Sequence, residues 1–192
     1  MKTSTGYKKI KTAIFISGKG SNLKNLIKFS NQINSPISIK LIVSNKKNAK
    51  GLIYANQNNI IKKIINFSNP RIAEKKILSL LIKKKIEFIC LAGFMKILSV
   101  YFIKKFKGKI INMHPSLLPK YKGLNTHERA IKNNDKISGC TVHYVTHKLD
   151  SGKIIMQKTV KISKIDTPKS LEKKILKKEH IIYPAAIRKI LN

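Results

Sequence analysis

The sequence predicts an α/β fold of the Rossmann-like kind, with a mostly parallel central sheet, helices on both faces and a C-terminal antiparallel strand region. In the first half of the chain, short apolar runs alternate with segments whose apolar residues recur at helical spacing. Residues 88–92 form a continuous apolar run, which is typical of a strand buried on both faces of a parallel sheet. Near the C-terminus two strand patterns are separated only by a loop, which predicts an antiparallel pair.

Alternating strands and helices are predicted before residue 88. A loop rich in glycine and serine follows the first strand, and the apolar residues after it recur at helical spacing. Pro70 occupies a place where the first turn of a helix tolerates proline. The predicted elements are a strand at 11–16, a helix beginning near residue 23, a strand at 37–43, a helix at 49–58, a strand at 60–65 and a helix from residue 70 to 85.

The second half of the chain contains a strand end that carries polar side chains. The run at 88–92 ends at Gly93 and is expected at the centre of the sheet, and the next strand ends at His114 and Pro115. Open α/β sheets bind their ligands outside the carboxyl ends of the strands. The remaining predicted elements are a helix at 99–106, strands at 109–113, 140–145 and 153–162, a short helix at 127–132 and a helix from about residue 168 to the end.

The length and composition predict a single-domain protein. The chain has 192 residues, which fits one domain at 11–192 after a basic tail at 1–10. The sequence contains no uninterrupted apolar run of about 18 residues that could span a membrane, and the tail lacks the apolar region of a secretory signal. Cys90 and Cys140 lie far apart inside apolar runs, so we expect buried, reduced thiols in a cytoplasmic protein.

The formal net charge of +33 is a weak indicator of nucleic-acid binding. Only Arg71, Arg129 and Arg188 are arginines, although arginine is the residue that binds phosphates and bases in bidentate fashion. The lysines are spread over the whole chain beside many isoleucines and asparagines, a composition typical of an AT-rich genome. We therefore interpret the charge as a compositional background and expect no specific nucleic-acid partner.

Residues 17–22, with the sequence Ser-Gly-Lys-Gly-Ser-Asn, lie between a predicted strand and a predicted helix. Leu23 stands where a dinucleotide-binding motif has its third glycine, and the Gly-Lys-Ser/Thr ending of a P-loop is absent. Two interpretations stay open. Ser21, Asn22 and the first helical N–H groups hold a phosphate, or the segment is a tight turn with Ser21 as the helix cap.

Asn112 and His114 are two positions apart at a strand end, so their side chains point to the same side. An amide donor and a titratable imidazole together suit an oxyanion that develops on an attacked carbonyl. The loop that follows is rich in proline and glycine and is expected to wrap around the pair. Asp150 is one of only eight acidic residues, and two interpretations stay open for it. It is an aspartate in a turn before a glycine, or it pairs with His114, favours the imidazolium and relays protons.

Six segments resemble the phosphoribosylglycinamide formyltransferases, folate-dependent transferases of purine synthesis. The resemblance covers nearly the whole chain and implies the formyltransferase form of the Rossmann-like fold. Each segment alone is weak, but all six in order are hard to obtain by chance. The segments are 17–22, 92–99, 112–119, 139–145, 149–152 and 179–184.

The resemblance implies transfer of the formyl group of the co-substrate 10-formyltetrahydrofolate to the amine of glycinamide ribonucleotide, through a tetrahedral intermediate and without a metal. The implied catalytic residues are Asn112, His114 and Asp150. The implied ribonucleotide site consists of Gly20, Ser21, Asn22 and Glu179. The implied folate site consists of Arg71, Met95, Lys96, Ile97, Leu98 and Asn112.

The resemblance also divides the domain into a phosphate-binding half at 11–110 and a folate-binding and catalytic half at 111–192, in a monomer or homodimer. Two positions depart from the family pattern: Lys96 stands where arginine is common, and Asn125 where histidine is frequent. Neither belongs to the implied catalytic trio.

Three other classes of protein share part of this pattern. Methionyl-tRNA formyltransferases share the catalytic trio, but they lack the loop at 17–22 and carry a further RNA-binding domain, for which we expect no counterpart here. Formyltetrahydrofolate deformylases share the trio but usually carry a regulatory domain. A nucleic-acid-binding relic of the fold would suit the charge, but it would have no reason to keep the trio.

Overall fold

The computed structural model describes residues 8–191, and in this range seven strands and six helices follow one another along the chain. The strands are β1 (Ile10–Ile16), β2 (Ile37–Ser44), β3 (Lys62–Ile64), β4 (Phe88–Leu91), β5 (Lys109–His114), β6 (Ile137–Tyr144) and β7 (Ile154–Lys161). The helices are α1 (Ser21–Ser30), α2 (Leu52–Gln57), α3 (Pro70–Lys83), α4 (Val100–Lys105), α5 (Thr126–Lys132) and α6 (Pro168–Leu191). Most of the predicted basic tail, residues 1–7, lies outside the described range.

All seven strands form one sheet in the order β3-β2-β1-β4-β5-β6-β7. The pairs from β3 to β5 are parallel, whereas β6 pairs antiparallel with both β5 and β7. The predicted fold class is therefore confirmed, including the antiparallel C-terminal region. The apolar strand β4 lies in the middle of the order, as its continuous hydrophobic run predicted.

The sheet has an apolar core on each face, as the prediction of helices on both faces requires. Alternate residues of β1 enter different cores: Ile14 belongs to the cluster that includes α1 and α6, and Phe15 to the cluster that includes α3 and α4. Chain order along the sheet reverses between β1 and β4, so the loops after these two strands lie side by side. The Ser17 amide joins them by donating to the Gly93 carbonyl at 3.0 Å.

Local sequence explains where helix α3 begins, and explains less well the limits of strands β3 and β6. Asn69 accepts a hydrogen bond from the Ile72 amide, and Pro70 occupies the first turn of α3. Strand β6 starts at Ile137, three residues before the predicted strand, because pairing with β7 holds Ser138 and Gly139 although they interrupt the apolar pattern. Strand β3 keeps only three of the six predicted residues at the edge of the sheet.

Cys90 and Cys140 are buried and unpaired, as predicted. Burial raises the pKa of both thiols, that of Cys140 to about 12, so both stay protonated at neutral pH. Within residues 8–191, no helix combines the length and the apolar composition needed to cross a membrane.

Candidate active site

A cavity of about 980 Å³ opens at the carboxyl ends of β4 and β5. Its lining includes eight of the predicted site residues, namely Asn22, Met95, Lys96, Ile97, Asn112, His114, Asp150 and Glu179. Gly20, Ser21, Arg71 and Leu98 are not among its lining residues. A smaller cavity of about 680 Å³, at the amino end of β4, contains none of the predicted site residues. The larger cavity is therefore the candidate site.

The structure brings Asn112, His114 and Asp150 together, as the sequence predicted. Asn112 and His114 lie at alternate positions of β5, and Asp150 belongs to the loop between β6 and β7. One carboxylate oxygen of Asp150, Oδ2, lies 3.3 Å from His114 Nδ1. The other, Oδ1, lies 3.5 Å from Asn112 Nδ2. A single carboxylate thus contacts both polar side chains of the strand end.

The loop after β5 fixes the orientation of this trio. His114 Nε2 lies 2.8 Å from the Tyr121 carbonyl oxygen, and since a carbonyl can only accept, Nε2 carries a hydrogen. The other ring nitrogen, Nδ1, is therefore the one that can gain or lose a proton, and it faces Asp150. The Gly123 amide donates to Asp150 Oδ2 at 2.9 Å, so the same loop also holds the carboxylate.

Burial and charge have opposite effects on the two titratable groups. Burial lowers the pKa of His114 below its ordinary 6.5, although the Tyr121 carbonyl and the Asp150 carboxylate act in the raising direction. Burial alone would raise the pKa of Asp150, but the adjacent His143 side chain and the hydrogen bond from the Gly123 amide lower it below its ordinary 3.8. As expected, the Asp150 carboxylate acts to raise the pKa of His114, which favours the imidazolium. The effect of burial is larger, so the pKa of His114 is lowered overall. At neutral pH an ionised carboxylate thus lies beside a neutral imidazole.

His143 is a site residue that the sequence analysis did not single out. It is 2% exposed on β6, directly opposite Asn112 in the antiparallel pair. Its Nδ1 lies 2.8 Å from the Tyr144 carbonyl oxygen, and its Nε2 lies 3.3 Å from Asn112 Nδ2 and 3.6 Å from Asp150 Oδ1. The signal that could have found it is the β5–β6 register, which a strand pattern alone does not give.

The loop at 17–22 and α6 form the other end of the site. Gly20, not Ser21, is the N-cap residue of α1, and no side chain caps this helix, so the cap interpretation of Ser21 is wrong. The Ser21 hydroxyl instead lies 2.8 Å from His180 Nε2 on α6. Asn22 Nδ2 donates to Glu179 Oε2 at 2.7 Å, while the buried Asn22 Oδ1 has no protein partner. Asn22 of α1 and Glu179 of α6 therefore meet at the cavity.

Burial raises the pKa of the Glu179 carboxyl, although the Asn22 amide acts in the lowering direction. A carboxylate oxygen accepts hydrogen bonds, and a carboxyl group that is protonated can also donate one. This property suits contact with a hydroxyl or an amine of a ligand.

The loop between β4 and α4 is held at both of its ends. The Met95 amide donates to the Ser17 hydroxyl at 2.7 Å. At the other end, the buried Glu74 carboxylate accepts hydrogen bonds from the amide and the hydroxyl of Ser99, the N-cap of α4. Side chains between these points differ in exposure: Met95 and Ile97 are 58% and 65% exposed, whereas Leu98 is buried. Leu98 thus contributes its side chain to the core.

Arg71 does not join the rest of the predicted folate site. It lies exposed in the first turn of α3, outside the set of residues that line the cavity. Contact with a bound folate therefore requires the ligand to extend beyond the cavity wall.

The histidine environments predict a loss of stability in mild acid. Burial lowers the pKa of His114, His127 and His180, so below pH 6.5 the unfolded chain binds more protons than the folded one. The free energy of unfolding should fall as pH decreases from 6.5 through these lower folded-state values. Thermal melts on either side of pH 6.5 measure this effect.

General repulsion among the many positive charges would also destabilise the protein in acid. Adding about 0.5 M salt screens such repulsion but leaves the cost of protonating buried imidazoles largely in place. We expect the acid-induced drop in melting temperature to persist in salt. A drop that disappears in salt would assign the effect to surface charge.

The sequence and the structure are similar to those of known formyltransferases. Residues 10–187 match the sequence profile of a family described as formyl transferase. Phosphoribosylglycinamide formyltransferase of Haemophilus influenzae is 41% identical over 181 residues, which cover 93% of this chain and 85% of that protein. The crystal structure of phosphoribosylglycinamide formyltransferase from Brucella melitensis has a TM-score of 0.91 at 40% identity, with 96% of each chain covered.

A second kind of relative is much longer. The human trifunctional purine biosynthetic protein adenosine-3 is 40% identical over 184 residues, which cover 94% of this chain. The chain spans only 18% of the length of that relative. The similarity therefore concerns one part of the trifunctional protein.

Proposed function

The chain belongs to the formyl transferase family, and from this membership we propose that it transfers a formyl group to the amine of glycinamide ribonucleotide in purine biosynthesis. Family membership supports a folate-type one-carbon donor, and we propose 10-formyltetrahydrofolate as that donor. The observation that carries the proposal is the Asp150 carboxylate, which contacts both His114 and Asn112 in the cavity that also contains the Asn22–Glu179 pair.

The proposed reaction is a direct attack of the substrate amine on the formyl carbon. The carbonyl oxygen gains negative charge while the amine nitrogen becomes positive. The Asn112 amide stabilises the oxygen, and the His114 imidazole does so once its Nδ1 carries a proton, because both side chains lie on the side of β5 that faces the cavity. Preorganised donors of this kind cost no reorganisation as the charge develops.

Proton transfer completes the reaction without an additional reactant. The positive amine nitrogen gives up its proton to the His114 and Asp150 pair, in which a neutral imidazole beside an ionised carboxylate is ready to accept it. The same proton then passes to the folate nitrogen as its bond to the formyl carbon breaks. The products are the N-formylated ribonucleotide and tetrahydrofolate.

The two ends of the cavity suggest where each substrate binds. We assign the phosphate to the backbone and side chains of Gly20, Ser21 and Asn22 at the start of α1, and the ribose or amine region to Glu179. The pterin is assigned to the loop at 95–98, which is held at its two ends by hydrogen bonds to Ser17 and Glu74.

Further parts of the proposal concern organisation. We propose one domain at 11–192 with a phosphate-binding half at 11–110, in a cytoplasmic monomer or homodimer that binds no specific nucleic acid. The named relatives do not favour the tRNA-directed, deformylase or non-enzymatic alternatives.

The deciding experiment measures formyl transfer from 10-formyltetrahydrofolate to three acceptors: glycinamide ribonucleotide, initiator tRNA and water. We expect turnover with the ribonucleotide and none above background with the other two. An Asp150→Asn preparation purified in the same way controls for a contaminating host enzyme. Turnover with tRNA or water alone, or none with the ribonucleotide, would refute the proposal.

A further inference from the structure

Tyr121 has a backbone conformation that needs outside support. Its φ of 55° lies in the left-handed region, which residues other than glycine rarely adopt. In this conformation its carbonyl oxygen lies 2.8 Å from His114 Nε2. Whatever holds Tyr121 therefore also determines which ring nitrogen of His114 carries the fixed hydrogen.

The side chain of Tyr121 is held by α5 and the turn that follows it. Its hydroxyl donates to Asp135 Oδ2 at 2.9 Å and accepts from Asn133 Nδ2 at 2.9 Å. The guanidinium of Arg129 lies 4.9 Å from the ring centre, and its NH1 donates to the Lys122 carbonyl at 2.7 Å. These contacts, from α5 and the turn after it, hold both the side chain of Tyr121 and the backbone that follows it in the loop.

We propose that Tyr121 is a positioning residue for His114: Asp135, Asn133 and Arg129 hold the tyrosine so that its main-chain carbonyl keeps the hydrogen on His114 Nε2. Nδ1 is then left free to exchange a proton with Asp150. The tautomer is a property of the free protein, whereas its consequence for catalysis rests on the proposed function.

The test substitutes the tyrosine hydroxyl and observes the histidine directly. Tyr121→Phe removes both hydrogen bonds of the hydroxyl while keeping the ring beneath Arg129. In nitrogen-15 spectra of the substrate-free protein, we expect the wild type to show His114 as one Nε2–H tautomer and Tyr121→Phe to show a mixture. The signal of His114 among the five histidines is assigned from a His114→Gln variant.

The titration of His114 provides a second readout. Its surroundings include Asp150 from the loop before β7, His143 from β6, and Arg129 and His127 from α5. None of these groups is substituted in Tyr121→Phe, so we assign a change in the titration to the Tyr121 carbonyl. Because that carbonyl raises the pKa of His114, we expect its titration midpoint to move to lower pH.

The kinetic expectation separates positioning from binding. In Tyr121→Phe, kcat for formyl transfer should fall roughly 10-fold, the scale expected of a small misplacement of a reacting group, with little change in either KM. Asp135→Asn keeps an acceptor for the hydroxyl and should retain the wild-type tautomer, whereas Asp135→Ala should reproduce the Tyr121→Phe spectrum. If Tyr121→Phe does not fold, the comparison of Asp135→Asn with Asp135→Ala still tests the inference.

Tyr183→Phe is the matched control, because the Tyr183 hydroxyl also donates one buried hydrogen bond, to the Leu91 carbonyl at 2.8 Å. We expect it to lower the melting temperature without changing the His114 tautomer. A single Nε2–H tautomer and an unchanged titration in both Tyr121→Phe and Asp135→Ala would overturn the inference. An inactive wild type with the expected spectra would instead refute the proposed function.

Discussion

Asp150→Asn is expected to lower kcat/KM for formyl transfer by roughly 10³-fold, within the range that general acid–base groups supply. The carboxylate lies 3.3 Å from His114 Nδ1, and it is the group through which we expect the proton of the attacking amine to pass. An amide has nearly the same shape but neither accepts this proton nor stabilises the imidazolium that forms. Steady-state kinetics with glycinamide ribonucleotide as the acceptor measure the effect.

The substitution should affect the chemistry more than the fold. Asp150 has a φ of 44°, and asparagine is among the few residues that tolerate this left-handed region. Asp166→Asn is a matched control, because Asp166 also accepts hydrogen bonds, from the Ser163 amide and Ser170, but lies outside the cavity lining. Equal activities of Asp150→Asn and Asp166→Asn would remove Asp150 from the proton path.

The fold was predictable because burial leaves a clear pattern in this sequence. Strand β4 is apolar at every position, and α3 has both a proline in its first turn and periodic apolar residues, so both elements lie where they were predicted. Strand β3 and the start of β6 were predicted less well. Their extent depends on pairing at the edge of the sheet and between β6 and β7, which is not a local property.

The proximity of the three proposed catalytic residues was predictable, but the groups that orient them were not. Polar side chains at an apolar strand end stand out in a sequence, as Asn112 and His114 did. The Tyr121 carbonyl has no such signal, because every residue has a carbonyl and only the backbone angle directs this one to His114. His143 appeared only as one residue of an alternating strand until the β5–β6 register placed it opposite Asn112.

Gly20→Ala is expected to disrupt the loop at 17–22 and destabilise the protein. Gly20 has a φ of 75°, and an added Cβ would lie 2.5 Å from the Cα of Gly51, where neither backbone can give way cheaply. Strain of this kind, together with the overpacking, costs about 2–4 kcal/mol. For a chain of this length that corresponds to a melting temperature lowered by roughly 4–16 °C. We also expect a higher KM for the ribonucleotide, because Gly20 immediately precedes the amides at the start of α1.

Gly18→Ala provides the matched control within the same loop. Gly18 does not have a positive φ, and an added Cβ would meet no atom within 4 Å, so alanine fits without strain. Its carbonyl still accepts from the Gly51 amide, since the substitution leaves the backbone unchanged. The melting temperature of Gly18→Ala should therefore stay close to that of the wild type. Equal melting temperatures for the two alanine variants would show that the close approach of Gly20 to Gly51 does not constrain this loop.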